Sequence, residues 1–124
     1  MISRLTTGSV LMLGLLLMPV AYAQPPTNVQ IEVNALLGFI GDSGCKFYRN
    51  GIWHDSITAQ THLRDKYNYL ATRNLINTTE DFIEMAATKS NLSGQLYEVR
   101  CNGGATMASK QWLRDELVHL RVLK

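Results

Sequence analysis

"CKFYRNGIWHD", residues 45–55, decides the fold. Two aromatic-rich segments flank Asn50-Gly51, a pair that accepts the positive φ angles of a two-residue type I′ turn. The stretch therefore reads as a β-hairpin, which introduces a sheet into a chain whose other periodicities are helical. Phe47 and Trp53 are expected on one face of the hairpin. Tyr48, Arg49, Asn50, Gly51 and Trp53 form the candidate interaction surface. Helices can cover only one face of so small a sheet, and aromatic residues beside an arginine have the composition of binding hot spots.

Upstream, "NVQIEVNALLGFI" (28–40) places Val29, Val33, Leu36, Leu37 and Ile40 at helical spacing. Asn28 is the expected cap and Gly41 the expected stop, with Gly41-Asp42-Ser43-Gly44 as the following turn. Downstream, Asp55 or Ser56 caps a second helix through "ITAQTHLRDKYNYLA" (57–71), with Ala59, Leu63, Tyr67 and Leu70 on one face. In "NTTEDFIEMAATKS" (77–90), Thr78 caps a third, short helix. Glu80 and Asp81 favour its first turn, and Phe82, Ile83 and Ala86 point inward. "SNLSG" (90–94) is a turn. "QLYEVRC" (95–101) alternates Leu96, Glu98 and Arg100 against Tyr97, Val99 and Cys101, the pattern of a half-buried strand. "NGGATMA" (102–108) reads as a loop, and Ser109 as the cap of a last helix carrying Leu113, Leu117 and Leu120 in one stripe beside Trp112. The order α-β-β-α-α-β-α predicts an α+β domain. It is a short antiparallel sheet, the hairpin plus a late strand, packed by about four helices.

The N-terminus predicts the compartment. Arg4 precedes the uncharged apolar run "VLMLGLLLMPV" (10–20), and Ala21 and Ala23 occupy the small-residue positions of a cleavage site before Gln24. This is the pattern of a secretory signal peptide over residues 1–23, cut after Ala23, leaving a single small domain over 24–124. No later run is long enough to span a membrane. Cys45 and Cys101 are the two cysteines, and an oxidising compartment pairs them in a disulfide closing a loop of more than fifty residues. Twelve Lys/Arg stand against ten Asp/Glu, and losing Arg4 leaves eleven against ten. That balance lacks the basic excess of a charge-driven nucleic-acid binder.

Gly41-Asp42-Ser43-Gly44 has the spelling of a serine-hydrolase nucleophile motif. A trypsin-like order requires the catalytic His and Asp before the Ser, yet His54, His62 and His119 all follow Ser43. Asp115 and His119 resemble the late Asp-x-x-His of another esterase class but stand i, i+4, and no stretch supplies oxyanion donors. A turn after a helix accounts for the string without chemistry. His54, Asp55 and His62 could converge as a partial metal site, but no ligand spacing of a known kind supports one. Arg49, Arg64 and Arg73 would make an anion site only if their elements cluster. Neither a cofactor nor a catalytic residue is expected.

The stretch Cys-x-Phe-x-Arg-Asn-Gly at Cys45–Gly51 is followed by His62-Leu63-Arg64 and Lys66, then Thr79-Glu80-Asp81-Phe82-Ile83. Ala86 or Ala87, Lys89-Ser90, Ser93-Gly94, Tyr97, Val99 and Trp112-Leu113 continue the series. In order and spacing this resembles the YfeK-like family, small exported proteins of Gram-negative bacteria with a domain of unknown function. The likeness runs from Ile31 to Leu117. It implies a periplasmic single domain and assigns no activity or catalytic residue. The expected function is a periplasmic binding or interaction module whose partner is a protein or small ligand. The alternatives are a small hydrolase using Ser43 with His54 or His119, and an envelope-stress or structural accessory protein.

Overall fold

The computed structural model describes residues 24–123. The expected signal segment, residues 1–23 with its cut after Ala23, lies outside them. Among the described residues, four helices and a four-stranded antiparallel sheet form the expected α+β architecture. The elements are α1 (Thr27–Asp42), β1 (Lys46–Arg49), β2 (Ile52–His54), α2 (Ser56–Ala71), α3 (Thr79–Ala86), β3 (Glu98–Arg100), β4 (Met107–Ala108) and α4 (Ser109–Val122).

Helix α1 is the centre of the core. Val33, Leu36, Leu37 and Ile40 are fully buried on it, as their spacing predicts. Its ends differ from expectation. The cap is Pro26, whose carbonyl accepts from the Val29 and Gln30 amides, so Asn28 does not cap. The helix also runs past Gly41 through Asp42. Ser43 closes it, and Gly44, at φ +66, turns the chain out of it. Glycine after a helix end takes this left-handed conformation without a Cβ penalty.

The Asn50-Gly51 turn has positive φ at both residues, as a type I′ turn requires. The sheet order is β2-β1-β3-β4. Tyr48 pairs with Trp53, Phe47 with His54 and Val99, and Lys46 with Arg100. Directly paired residues share a face of the sheet and successive ones alternate. Phe47 and Trp53 therefore lie on opposite faces, which corrects the expected pairing. Phe47, Val99 and Met107 face the helices, where α2 packs on β1 and α4 on β3 and β4. Trp112 ties the layers together, its ring 4.5 Å from Phe39 and 5.5 Å from Phe47. Lys46, Tyr48, Trp53, Glu98, Arg100 and Ala108 form the other face, and none of them is buried.

Cys45 and Cys101 are disulfide-bonded, joining β1 to β3 just beyond their last paired residues. Asp55 caps α2 by accepting from the Thr58 amide. Thr78 and Asp81 form a reciprocal capping box at α3. Two local expectations fail around residue 108. Met107–Ala108, read as loop, forms a fourth strand on β3. Ala108 then precedes α4 without a side-chain cap, so Ser109 becomes the helix's first residue and its hydroxyl is buried. At the opposite end of the domain, Glu32 of α1 is buried and accepts from Thr79 Oγ1 at 2.6 Å and from Arg121.

Candidate binding site

The hairpin presents two different chemistries because its strands are two-faced. On the open face, the Tyr48 and Trp53 rings stand 5.3 Å apart as cross-strand neighbours. The Arg100 guanidinium lies 4.4 Å from the Trp53 ring centroid, a cation–π contact. Lys46 is registered directly opposite Arg100. Neither cation has an ion-pair partner among the described residues, and Glu98 is the acidic member of this face.

On the inner face, Arg49 turns toward α2. Its Nη1 lies 3.5 Å from His62 Nδ1, and His62 Nε2 lies 3.2 Å from the Tyr97 hydroxyl. Lys66, one helical turn beyond His62, donates to the same hydroxyl at 3.2 Å and to the Lys89 carbonyl at 3.4 Å. Burial, then the charge of Arg49 and that of Lys66, pulls the His62 imidazole down to about 4. It is therefore neutral near pH 7. Burial, then Arg49, also lowers the Lys66 ammonium, and burial raises the Tyr97 phenol. Arg49, His62 and Tyr97 edge a recess of about 30 Å³ whose apolar wall includes Phe47, Leu63 and Leu113, and Ser109 also lines it; Lys66 reaches it only through its contact with the Tyr97 hydroxyl.

The structure thus divides the candidate surface. Tyr48 and Trp53 lie together on the open face, while Arg49 belongs to the recess behind it. Asn50 is fixed by a hydrogen bond from Ser93 Oγ, linking the hairpin tip to the 90–94 turn. Arg49 does not meet the other two arginines considered with it. Arg64 donates to Asn34, and Arg73 stacks on the Tyr69 ring and donates to the Tyr69 carbonyl. Asp55 is committed to its cap, and no trio of His, Cys, Asp and Glu side chains converges among the described residues.

Ser43 has a structural role. Its hydroxyl donates to the Ile40 carbonyl at 2.7 Å and accepts from the Cys45 amide at 3.1 Å, so both partners are backbone groups of the turn. His119 pairs with Glu116 on the exposed flank of α4, and Asp115 accepts from Gln111. The sequence reading passed over Arg100, Lys66, Tyr97 and Ser109. Two of them carried a signal: Arg100 falls on the polar side of its strand's alternation, and Lys66 stands i+4 from His62.

A family described as of unknown function, DUF5329, matches residues 27–121. An uncharacterised protein, YfeK of Salmonella typhimurium, is 35% identical over 85 residues, covering 68% of this chain and 69% of its own length. No solved structure matches.

Proposed function

The chain belongs to the DUF5329 family of unknown function, and within it we propose a periplasmic binding module that takes an acidic protein segment on the open sheet face. The observation that carries this reading is the Tyr48–Trp53 pair with Arg100 stacked on Trp53. Aromatic and arginine side chains dominate binding energy where they become fully desolvated. The choice of an acidic partner rests on charge. Two cations without ion-pair partners, Lys46 and Arg100, oppose one carboxylate, Glu98, on this face. The disulfide and the signal-like N-terminus support export, since such bridges persist in oxidising compartments.

The test is an anisotropy titration of the disulfide-bonded protein against a labelled Asp/Glu-rich peptide containing one aromatic residue. A composition-matched Lys-rich peptide serves as control. Saturable binding of the acidic peptide alone is expected, weakened about tenfold or more in Trp53→Ala/Arg100→Ala. Equal binding of both peptides, or an unchanged affinity in that variant, overturns the reading. Fractionation should recover the protein from the periplasm with Gln24 as its first residue. Retention of residues 1–23 overturns cleavable export.

A further inference from the structure

The recess behind the hairpin contains hydrogen-bond donors that have no acceptor. Arginine can only donate, so the contact with Arg49 Nη1 makes His62 Nδ1 the acceptor. A neutral imidazole then carries its proton on Nε2, which donates to the Tyr97 oxygen. Lys66 donates to that oxygen as well. With both lone pairs filled, the Tyr97 phenol retains one hydrogen to give, and no described residue accepts it. Among the described residues Arg49 forms no ion pair, and neither does Lys66. The nearest acid on α2, Asp65, is exposed and also unpaired among the described residues. Independently, the Ser109 hydroxyl lines the same recess, is 3% exposed and has no hydrogen-bond partner among the described residues. Buried polar groups are almost always satisfied, so an orphan of this kind marks a missing partner.

One guanidinium, a free phenol hydrogen on a hydroxyl that Lys66 also contacts, and a buried hydroxyl, all lining one recess, define an anion site. The wall behind them defines what the anion is attached to. Phe47, Leu63 and Leu113 are apolar, and about 30 Å³ is room for roughly two waters or a short alkyl group. An inorganic oxyanion would leave that wall uncovered. We propose that the recess between the hairpin and α2 binds a small organic carboxylate. Arg49 and the Tyr97 hydroxyl hold its charged end, with the Lys66 ammonium acting through that hydroxyl, and its short aliphatic part lies against Phe47, Leu63 and Leu113. This site lies on the other side of the sheet from the open face, and of the open-face residues Tyr48 alone also lines it.

The test is an NMR titration of the isotope-labelled, disulfide-bonded protein with butyrate, n-butanol and inorganic phosphate, each in turn. Butyrate should shift Arg49, His62, Tyr97 and Ser109 saturably. Butanol, which keeps the tail and lacks the charge, should bind at least about tenfold more weakly, since a charge-assisted contact of this kind is worth about a decade in affinity. Arg49→Gln should weaken butyrate about tenfold, and Tyr97→Phe several-fold. If Arg49→Gln fails to fold by circular dichroism, Lys66→Met, at a part-exposed helix position, tests the charge that acts through the Tyr97 hydroxyl and should weaken butyrate several-fold. Three results overturn the proposal: no saturation by butyrate, equal binding of butanol, or tighter binding of phosphate at the same residues. Trp53→Ala/Arg100→Ala should leave butyrate binding unchanged, so failure of the open-face reading and failure of this one are distinguishable.

Discussion

Arg121 grips Glu32 across 89 residues of sequence, with Nε to Oε2 and Nη2 to Oε1 both at 3.0 Å. Glu32 is 4% exposed, and the same guanidinium also reaches Glu80 at 2.7 Å. Three helices, α1, α3 and α4, therefore share one cation at the end of the domain. Its loss should matter more than that of a surface pair. Removing one partner of a buried pair costs about 3–5 kcal/mol, and solvent access at Arg121 reduces the expectation for Arg121→Ala to about 1–3 kcal/mol. Urea titration measures it. Replacing both residues by Met and Leu should recover part of the loss, because a matched apolar pair incurs no desolvation penalty.

The disulfide should account for a large share of the stability of this small domain. Intact mass under non-reducing conditions should be lighter by two hydrogens, and alkylation should label neither Cys45 nor Cys101. Closing a loop with a separation of 56 residues constrains the unfolded chain strongly. Cys45→Ser/Cys101→Ser should cost about 2–5 kcal/mol, each kcal/mol lowering the melting midpoint by about 4–8 °C. Free thiols in protein taken from the periplasm would contradict the bridge.

His62 predicts a sign for the acid limb of stability. Its folded pKa of about 4 lies below the ordinary 6.5, so between those values the unfolded chain binds a proton that the folded one refuses. Stability from this group is complete above pH 6.5 and is lost as pH falls toward 4. The groups acting on it are Arg49 and Lys66, with a smaller opposing effect of Asp65 and a weak one of His54. Melting midpoints measured across this window should fall less steeply with acid in His62→Gln than in the wild type. Parallel slopes would mean that the imidazole does not titrate in this way.

Ser43→Ala should alter stability and not chemistry. The hydroxyl's two backbone hydrogen bonds are worth about 0.5–1.5 kcal/mol each, and part-exposure reduces what is lost. A fluorophosphonate probe should leave the wild-type protein unlabelled. Stoichiometric labelling at Ser43 would reinstate the hydrolase alternative.

Local rules carried most of the fold. The buried face of α1, the type I′ turn and the Thr78 cap each depend on residues close in sequence, and each was legible; the reciprocal bond accepted by Asp81 that completes the capping box was not read. The placement of Trp53 was legible too but misread. With Asn50-Gly51 as a two-residue turn, counting outward pairs Arg49 with Ile52 and Tyr48 with Trp53, which puts Phe47 on the other face. Strand β4 was not legible. Two residues have no periodicity, and Met107–Ala108 becomes a strand only because β3 offers a free edge. That same pairing took Ser109 out of the cap position and buried its hydroxyl. The open-face aromatics were visible as a composition, whereas the cluster of Arg49, His62, Lys66 and Tyr97 needed three distant segments brought together.

The position of the Cys45–Cys101 bridge has a consequence for how the sheet is assembled. The cysteines flank the Lys46–Arg100 pair, so the covalent link holds the ends of β1 and β3 together at their native alignment. A slip of one residue would turn Phe47 to solvent and Tyr48 toward the helices, exchanging the two faces on which both proposed sites depend. Oxidation thus favours the native alignment, because a bridge between Cys45 and Cys101 keeps the two strand ends adjacent and limits how far β1 can slide along β3.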